Sequence, residues 1–245
     1  MTTLVSILTA AMVTLSVTLS PLLHLAQPDV KKRATQQPST LPTTAPGVFV
    51  KDEQGNSIAL SISKLDVDVQ ITGTIATTTL DMTVYNPHNK ILEGEFSFPV
   101  TDGQTVSRFA LDINGKLREA VVVDKSKGRS TFEEVIRTKV DPALLEWTRD
   151  NSFRARIYPI PERGKRRIVI AYEQQLTSVT NGLGYTIPFA YPTKIDAFTF
   201  HAVVAGSENV PSLSGSSNEV VDFTPQGRTF VVEMEESDIR PYRRH

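Results

Sequence analysis

The alternation of apolar and polar residues constrains this chain more than any other feature. Leu65, Val67, Val69, Ile71, Gly73 and Ile75 are apolar or small, and every residue between them is polar. Side chains of an extended strand point to its two faces in turn, so this pattern buries one face and wets the other. The same period returns at Leu80, Met82 and Val84, at Phe96 and Phe98, and at Phe109, Leu111 and Ile113. It returns again at Phe198, Phe200, Ala202 and Val204, and at Phe230, Val232 and Met234. Many half-buried strands joined by turns predict a mainly β fold, an antiparallel β-sandwich-like domain. SLSGSSNE (212–219) reads as a flexible loop between two of these strands.

One stretch departs from that period. Ser130 and Glu133 have the spacing of a capping box, in which each side chain satisfies an orphan backbone N–H. Phe132, Val135 and Ile136 then share one helical face. Glu133 and Glu134 near the start and Arg137 and Lys139 near the end suit the helix dipole. Pro142 disfavours helical geometry at Asp141. The pattern predicts one short amphipathic α-helix. After it Phe153, Ala155 and Ile157 alternate with Arg154, Arg156 and Tyr158. Beyond the turn residues PERG (161–164), Ile168, Ile170 and Tyr172 alternate with Arg167, Val169, Ala171 and Glu173. The local reading is a helix followed by a β-hairpin.

These residues, taken in order, resemble the VIT domain, the vault protein inter-alpha-trypsin module. The resemblance runs through Arg129, Phe132 and Glu133; Ala143, Leu144, Leu145 and Glu146; Asn151 and Phe153; Ile160, Pro161 and Gly164; and Tyr172. Upstream, Asn86-Pro87 and EGEFSFPV (93–100) are similar to the family's Asn-Pro turn and Phe-Pro strand end. It covers roughly residues 57–177, and it departs at Arg163-Gly164, where the family more often has Pro-Gly. It implies a β-rich interaction module and, in bacteria, an exported one.

The first 28 residues contain no Asp, Glu, Lys or Arg. As a helix, residues 4–26 would reach ~34 Å, enough to span a bilayer. An N-terminal hydrophobic helix is therefore expected, as a membrane anchor or signal segment over residues 1–28, with a buried core helix as the bland alternative. His24-Leu25-Ala26 is a poor cleavage site. Lys31, Lys32 and Arg33 favour a cytoplasmic domain by the positive-inside tendency, whereas the resemblance favours the extracytoplasmic side. Residues 29–47, rich in Pro and Thr, read as a linker. Residues 48–245 form the domain, with extra strands over 183–235.

The search for chemistry returns little. The formal net charge is −1 and there is no cysteine. Thiol catalysis, disulfides and thiolate metal sites are thereby excluded, and no global pull toward nucleic acid exists. No phosphate loop, dinucleotide fingerprint or HExxH motif occurs. His24, His88, His201 and His245 are widely separated, and His201 reads as a strand-surface or satisfied histidine. AVVVDKSKG (120–128) superficially resembles the metal loop of a von Willebrand A domain through Asp124 and Ser126. Gly128 breaks that pattern, Lys125 and Lys127 oppose a cation, and the residues after Thr177 are too few for such a domain. Trp147 reads as a core ring rather than a sugar-stacking one. No catalytic residue, cofactor or metal is expected, and the chain is read as no enzyme.

The remaining candidates are basic. Arg154, Arg156, Arg163, Lys165, Arg166 and Arg167 fall on the two strands of the expected hairpin, a candidate surface for an anionic partner. Against it stands a solvated hairpin whose charges guard an edge, with Glu233, Glu235 and Glu236 as counter-charges. Nucleic acid is disfavoured because no aromatic platform accompanies the arginines. Two functions follow: a membrane-tethered VIT-like protein–protein interaction or scaffold module, or a carbohydrate-binding or hydrolytic β-sandwich with a cleft the sequence does not reveal. The expected partner is another protein or an anionic surface, with the membrane reached through residues 4–26.

Overall fold

The computed structural model describes residues 12–17, 45–101, 103–120, 122–123, 145–147, 152–179, 182–214 and 220–239. All regular structure among them is β. The strands are β1 (Met12–Val17), β2 (Gly47–Lys51), β3 (Ser57–Ala59), β4 (Ser61–Thr72), β5 (Ile75–Tyr85), β6 (Leu92–Pro99), β7 (Gln104–Ile113), β8 (Lys116–Glu119), β9 (Val122–Val123) and β10 (Leu145–Trp147). They continue as β11 (Ser152–Ile160), β12 (Lys165–Gln175), β13 (Thr177–Val179), β14 (Gly182–Pro188), β15 (Ile195–Ala205), β16 (Ser212–Ser214), β17 (Val220–Asp222), β18 (Thr224–Gln226) and β19 (Thr229–Ile239).

An eight-stranded sheet in the order β18-β19-β15-β4-β5-β12-β7-β8 is the platform of the fold. The alternation read from the sequence is what gives it a buried face. Leu65, Val67, Val69 and Ile71 of β4 stand opposite Met82, Leu80, Thr78 and Ala76 of β5. Ile168, Ile170 and Tyr172 of β12 continue the row on the other side of β5. Pairing is antiparallel except for β15 on β4 and β10 on β9, so the architecture is mixed rather than purely antiparallel. The hairpin between β4 and β5 turns at Gly73, whose φ of 59° suits glycine. The alternation through Gly73 to Ile75 therefore spans a turn, and Ile75 is exposed.

Two smaller sheets cover that face. The six-stranded sheet, β3-β2-β6-β11-β10-β9, packs through Phe96 on Phe109 and Phe98 on Tyr172, with ring centroids 5.4 and 5.3 Å apart. The five-stranded sheet, β13-β14-β1-β16-β17, packs through Tyr185, whose hydroxyl bonds the Thr78 hydroxyl and lies 3.5 Å from that of Tyr172. Each fully buried large apolar side chain in this core is worth about 1.5–3 kcal/mol.

Several expectations need correction. β11 and β12 are not a hairpin: β11 pairs with β6 and β10, and β12 pairs with β5 and β7. The four residues between them carry the chain from one sheet to the other, so the two apolar faces meet across the core instead of lying side by side. Alternation identifies a strand and its buried face but not its neighbour. Met12–Val17, within the expected N-terminal helix, is a strand. Its sequence alternates Val13, Leu15 and Val17 with Thr14 and Ser16, and β-branched residues fit a pleated sheet better than a helix. No helix among the described residues is long and apolar enough to cross a membrane. Ser212–Ser214, expected in a loop, is β16. The expected helix over 130–141 and the Asp124 and Ser126 positions lie outside the described residues.

Close packing sets two predictions. A Cβ on Gly94 would lie 2.7 Å from Val48 Cγ1 and 3.0 Å from Ile160 Cδ1. Gly94→Ala should therefore cost about 1–3 kcal/mol of unfolding free energy, read by urea denaturation. Burial pushes the Tyr172, Tyr185 and Tyr191 hydroxyls above the ordinary tyrosine range. Their neutral form is favoured in the fold, so the stability they contribute is complete below pH ~10 and is lost as pH rises beyond it. The urea midpoint should fall between pH 9 and 11, and Tyr191→Phe should make the fall shallower.

Candidate functional site

The two turn motifs that carry the family resemblance meet in space. Asn86, the residue after β5, is fully buried, and its side-chain NH2 donates to the carbonyls of Lys90 (2.9 Å), Ile160 (3.3 Å) and Pro161 (2.8 Å). Its Oδ1 accepts from the His88 N–H at 2.9 Å, and its own N–H donates to the Gly164 carbonyl at 2.9 Å. One amide thus ties the β5–β6 loop to the β11–β12 crossing. Arg163 has a φ of 46°, and its N–H donates to the His88 carbonyl. A proline ring would allow neither.

The crossing distributes the six basic candidates. Arg154 and Arg156 lie on the outer face of the six-stranded sheet, on Glu95 (3.2 Å) and Glu93 respectively. Arg167 lies on the outer face of the eight-stranded sheet, the opposite surface of the sandwich, with Nε 2.8 Å from Asp81 Oδ1. The hydrogen bond that Arg167 donates to Asp81 is the main cause that raises its pKa. Arg163 bonds Asn89 at the turn, and Lys165 is exposed. Arg166 is a correction in its placement: it is 5% exposed rather than on the surface, and it donates to the carbonyls of Asp112 and Pro159, so it braces β7, β11 and β12. The six residues do not form one patch. The counter-charges of Arg154, Arg156 and Arg167 also differ from expectation. β19, which carries Glu233, Glu235 and Glu236, stands four strand spacings from β12, ~19 Å away.

What remains coherent is the outward row of β11. Arg154, Arg156 and Tyr158 alternate with buried Phe153, Ala155 and Ile157, and Tyr158 is 53% exposed. Tyr158 was legible in the alternation, as the outward residue after Arg156. Elsewhere His201 is half-buried on the sheet surface with Nδ1 2.7 Å from Asp68 Oδ2, a satisfied histidine as expected.

A cleft of about 570 Å³ opens beside β3, with Val50, Leu60 and Leu92 on its apolar side and His88, Lys90 and Lys194 among its polar residues. Among the described residues no Phe, Tyr or Trp lines it. Asp52 beside it accepts from the Gln54 and Asn56 N–H groups and from the Asn56 amide, so its carboxylate is committed to its own turn. Among the described residues no group of three or more His, Cys, Asp or Glu is placed to hold a metal ion.

Residues 62–172 match the family model of the Vault protein inter-alpha-trypsin domain. The chain carries a VIT domain. The match spans β4 through most of β12, and so includes the Asn86 junction and the crossing. No curated protein matches the chain in sequence. Solved structures with some likeness include a proposed nutrient-binding protein of Legionella pneumophila, at 9% identity and a TM-score of 0.44, covering 81% of this chain and 67% of that one. An M1 zinc metallopeptidase of Deinococcus radiodurans is 13% identical with a TM-score of 0.41, covering 72% of this chain and 38% of its own. A proposed protease of Parabacteroides distasonis is 11% identical with a TM-score of 0.35, covering 76% and 36%. This chain spans well under half of either peptidase, and likenesses of this size support no statement about its activity.

The Asn86 junction of the VIT domain is open to a direct test. Asn86→Ala leaves the Lys90, Ile160 and Pro161 carbonyls without this donor and the His88 N–H without its acceptor. It should cost about 3 kcal/mol or more by urea denaturation. Asn86→Asp restores the acceptor but sets a carboxylate against three carbonyls, so it should be at least as destabilising.

Proposed function

We propose that this chain is a non-catalytic protein–protein interaction module. The observation that carries the reading is the use to which the VIT motif residues are put. Asn86, Ile160, Pro161 and Gly164 meet in the junction, and Phe98, Phe153 and Tyr172 are in the core. None of these residues is a reactive group facing solvent, so the motifs specify a rigid scaffold. Function then falls to the surfaces the scaffold presents.

The docking face is the outer side of the six-stranded sheet around Arg154, Arg156 and Tyr158. Tyr and Arg are the residue types that most often anchor protein interfaces. The Arg156–Glu93 pair is exposed and worth about 0–1 kcal/mol, so an acidic group of a partner can replace Glu93 at little cost. A rigid β-sheet surface also gives up little conformational entropy on binding.

A second reading, carbohydrate binding or hydrolysis, draws on the cleft beside β3. Among the described residues its lining includes no Phe, Tyr or Trp for a sugar face, and of its two carboxylates, Asp52 and Glu53, Asp52 is committed to a turn.

A photo-crosslinking residue at position 158 in the full chain should trap one protein partner in cells that make it. Arg156→Glu combined with Tyr158→Ala should then weaken binding to that partner at least tenfold, with an unchanged unfolding midpoint. Undiminished binding would remove this face from the proposal. Binding or turnover of oligosaccharides that perturbs residues around Leu60 and Leu92 would favour the second reading instead.

A further inference from the structure

The short strand β3 is an edge of the six-stranded sheet. Its register with β2 sets Ser57 opposite Lys51, Ile58 opposite Val50 and Ala59 opposite Phe49. Two hydrogen bonds bracket this ladder, from the Asp52 N–H to the Asn56 carbonyl and from the Leu60 N–H to the Val48 carbonyl. Bonded and non-bonded pairs alternate along an antiparallel ladder, so Asp52–Asn56, Val50–Ile58 and Val48–Leu60 are the bonded ones. The backbone N–H and C=O groups of Ser57 and Ala59 therefore point away from β2. Among the described residues no strand pairs with them.

The cleft of about 570 Å³ lies along this edge, and hydrogen bonds hold its walls. The β2–β3 turn closes on the Asp52 carboxylate. Asn86 fastens the next loop through the His88 N–H and the Lys90 carbonyl. The Lys194 carbonyl accepts from the Ile62 N–H at 3.2 Å. Walls fixed before binding give up little entropy when the site fills, and the volume is that of an ordinary ligand pocket. Its lining sets the chemistry of an occupant. Val50, Leu60 and Leu92 are buried at its apolar side, and Ile58 beside them is 50% exposed. Ile58 stands directly opposite Val50 and so shares its sheet face, and a strand added at the level of Ile58 would turn a side chain the same way. Of the charged residues that line the cleft, Asp52 is engaged in its turn and Lys194 by Asp196 and Asp238. Lys51, Lys90 and Glu53 are left exposed, two ammonium groups against one carboxylate. An extended peptide matches the apolar side, the net positive charge and the edge groups together, whereas a sugar or an acyl chain leaves the edge unused.

We propose that the β3 edge and its cleft form a docking site for an extended, acidic segment of a partner protein. The segment adds a strand outside β3 by pairing with Ser57 and Ala59. It sets an apolar side chain over Ile58, Leu60 and Leu92 and carboxylates against Lys51 and Lys90. This rests on the reading of the chain as an interaction module, and adds a main-chain mode of contact at a site separate from Arg156 and Tyr158.

The probe is a synthetic peptide, acetylated and amidated, with leucine at its centre, two glutamates on each side and threonine at both ends. Titrated into the full chain, it should slow amide exchange at Ser57 and Ala59 at least tenfold. It should also bind at least tenfold more tightly than the same peptide with lysines for glutamates. Lys51→Glu combined with Lys90→Glu should invert that preference with an unchanged unfolding midpoint, since both side chains are exposed. A strand paired along one side uses alternate N–H groups, so N-methylation of one alternate set should abolish binding and methylation of the other should not. Three results would each overturn the proposal: no binding of either peptide at millimolar concentration, a preference that the lysine variants leave unchanged, or equal loss with both methylated sets. Arg156→Glu with Tyr158→Ala should leave this binding as it is, so a failure here and a failure of the β11 face are read separately.

Discussion

A single buried amide holds the two layers of this protein in their relation to each other. Asn86 gives its side-chain hydrogens to carbonyls of the β5–β6 loop and of the β11–β12 crossing, and its oxygen to the His88 N–H. The Ile160 carbonyl, which also accepts from this amide, is buried, and leaving it without a partner costs about 1–3 kcal/mol. The junction is therefore fixed in one geometry. Because the crossing leaves one sheet and enters the other there, the junction also fixes which face of β11 and which face of β12 look inward. The aromatic contacts of Phe96 with Phe109 and Phe98 with Tyr172 follow from that alignment.

The same crossing decides the surface chemistry. Arginines close in sequence are sent to opposite sides of the sandwich, and Arg166 between them is drawn into the core to brace three strands. Each outer surface is locally balanced by acids on neighbouring strands: Glu93 and Glu95 on one side, Asp81 on the other. On the eight-stranded sheet Asp66 and Asp81 stand directly opposite each other, and each has its own cation, Lys64 and Arg167. A charge run in a sequence thus becomes two neutralised faces, of which the β11 face alone combines arginines with an exposed tyrosine.

Much of the fold was legible in alternation, because a strand with one wet face must write that face into its sequence. The inward residues of β4, β5, β6, β7, β15 and β19 were read correctly on this basis. The errors share one cause. Pairing partners are chosen by backbone hydrogen bonds that carry no side-chain signature, so β11 and β12 were placed side by side. Met12–Val17 was placed in a helix because a short uncharged apolar run satisfies both periods. Of the candidate site, the outward position of Arg154 and Arg156 was readable; the burial of Arg166 was not, since the carbonyls of Asp112 and Pro159 that solvate it are remote in sequence or across the turn.

The sequence by itself determined the strand content, the face each strand buries, and the ordered motifs of a VIT domain, because all three are properties of neighbouring residues. Tertiary structure decided that Asn86 and the Pro161–Gly164 turn form one junction, that the basic residues serve two surfaces, and that Met12–Val17 fills the middle of a sheet. Those outcomes depend on which distant backbone groups find each other once water is excluded, and no local pattern encodes that choice.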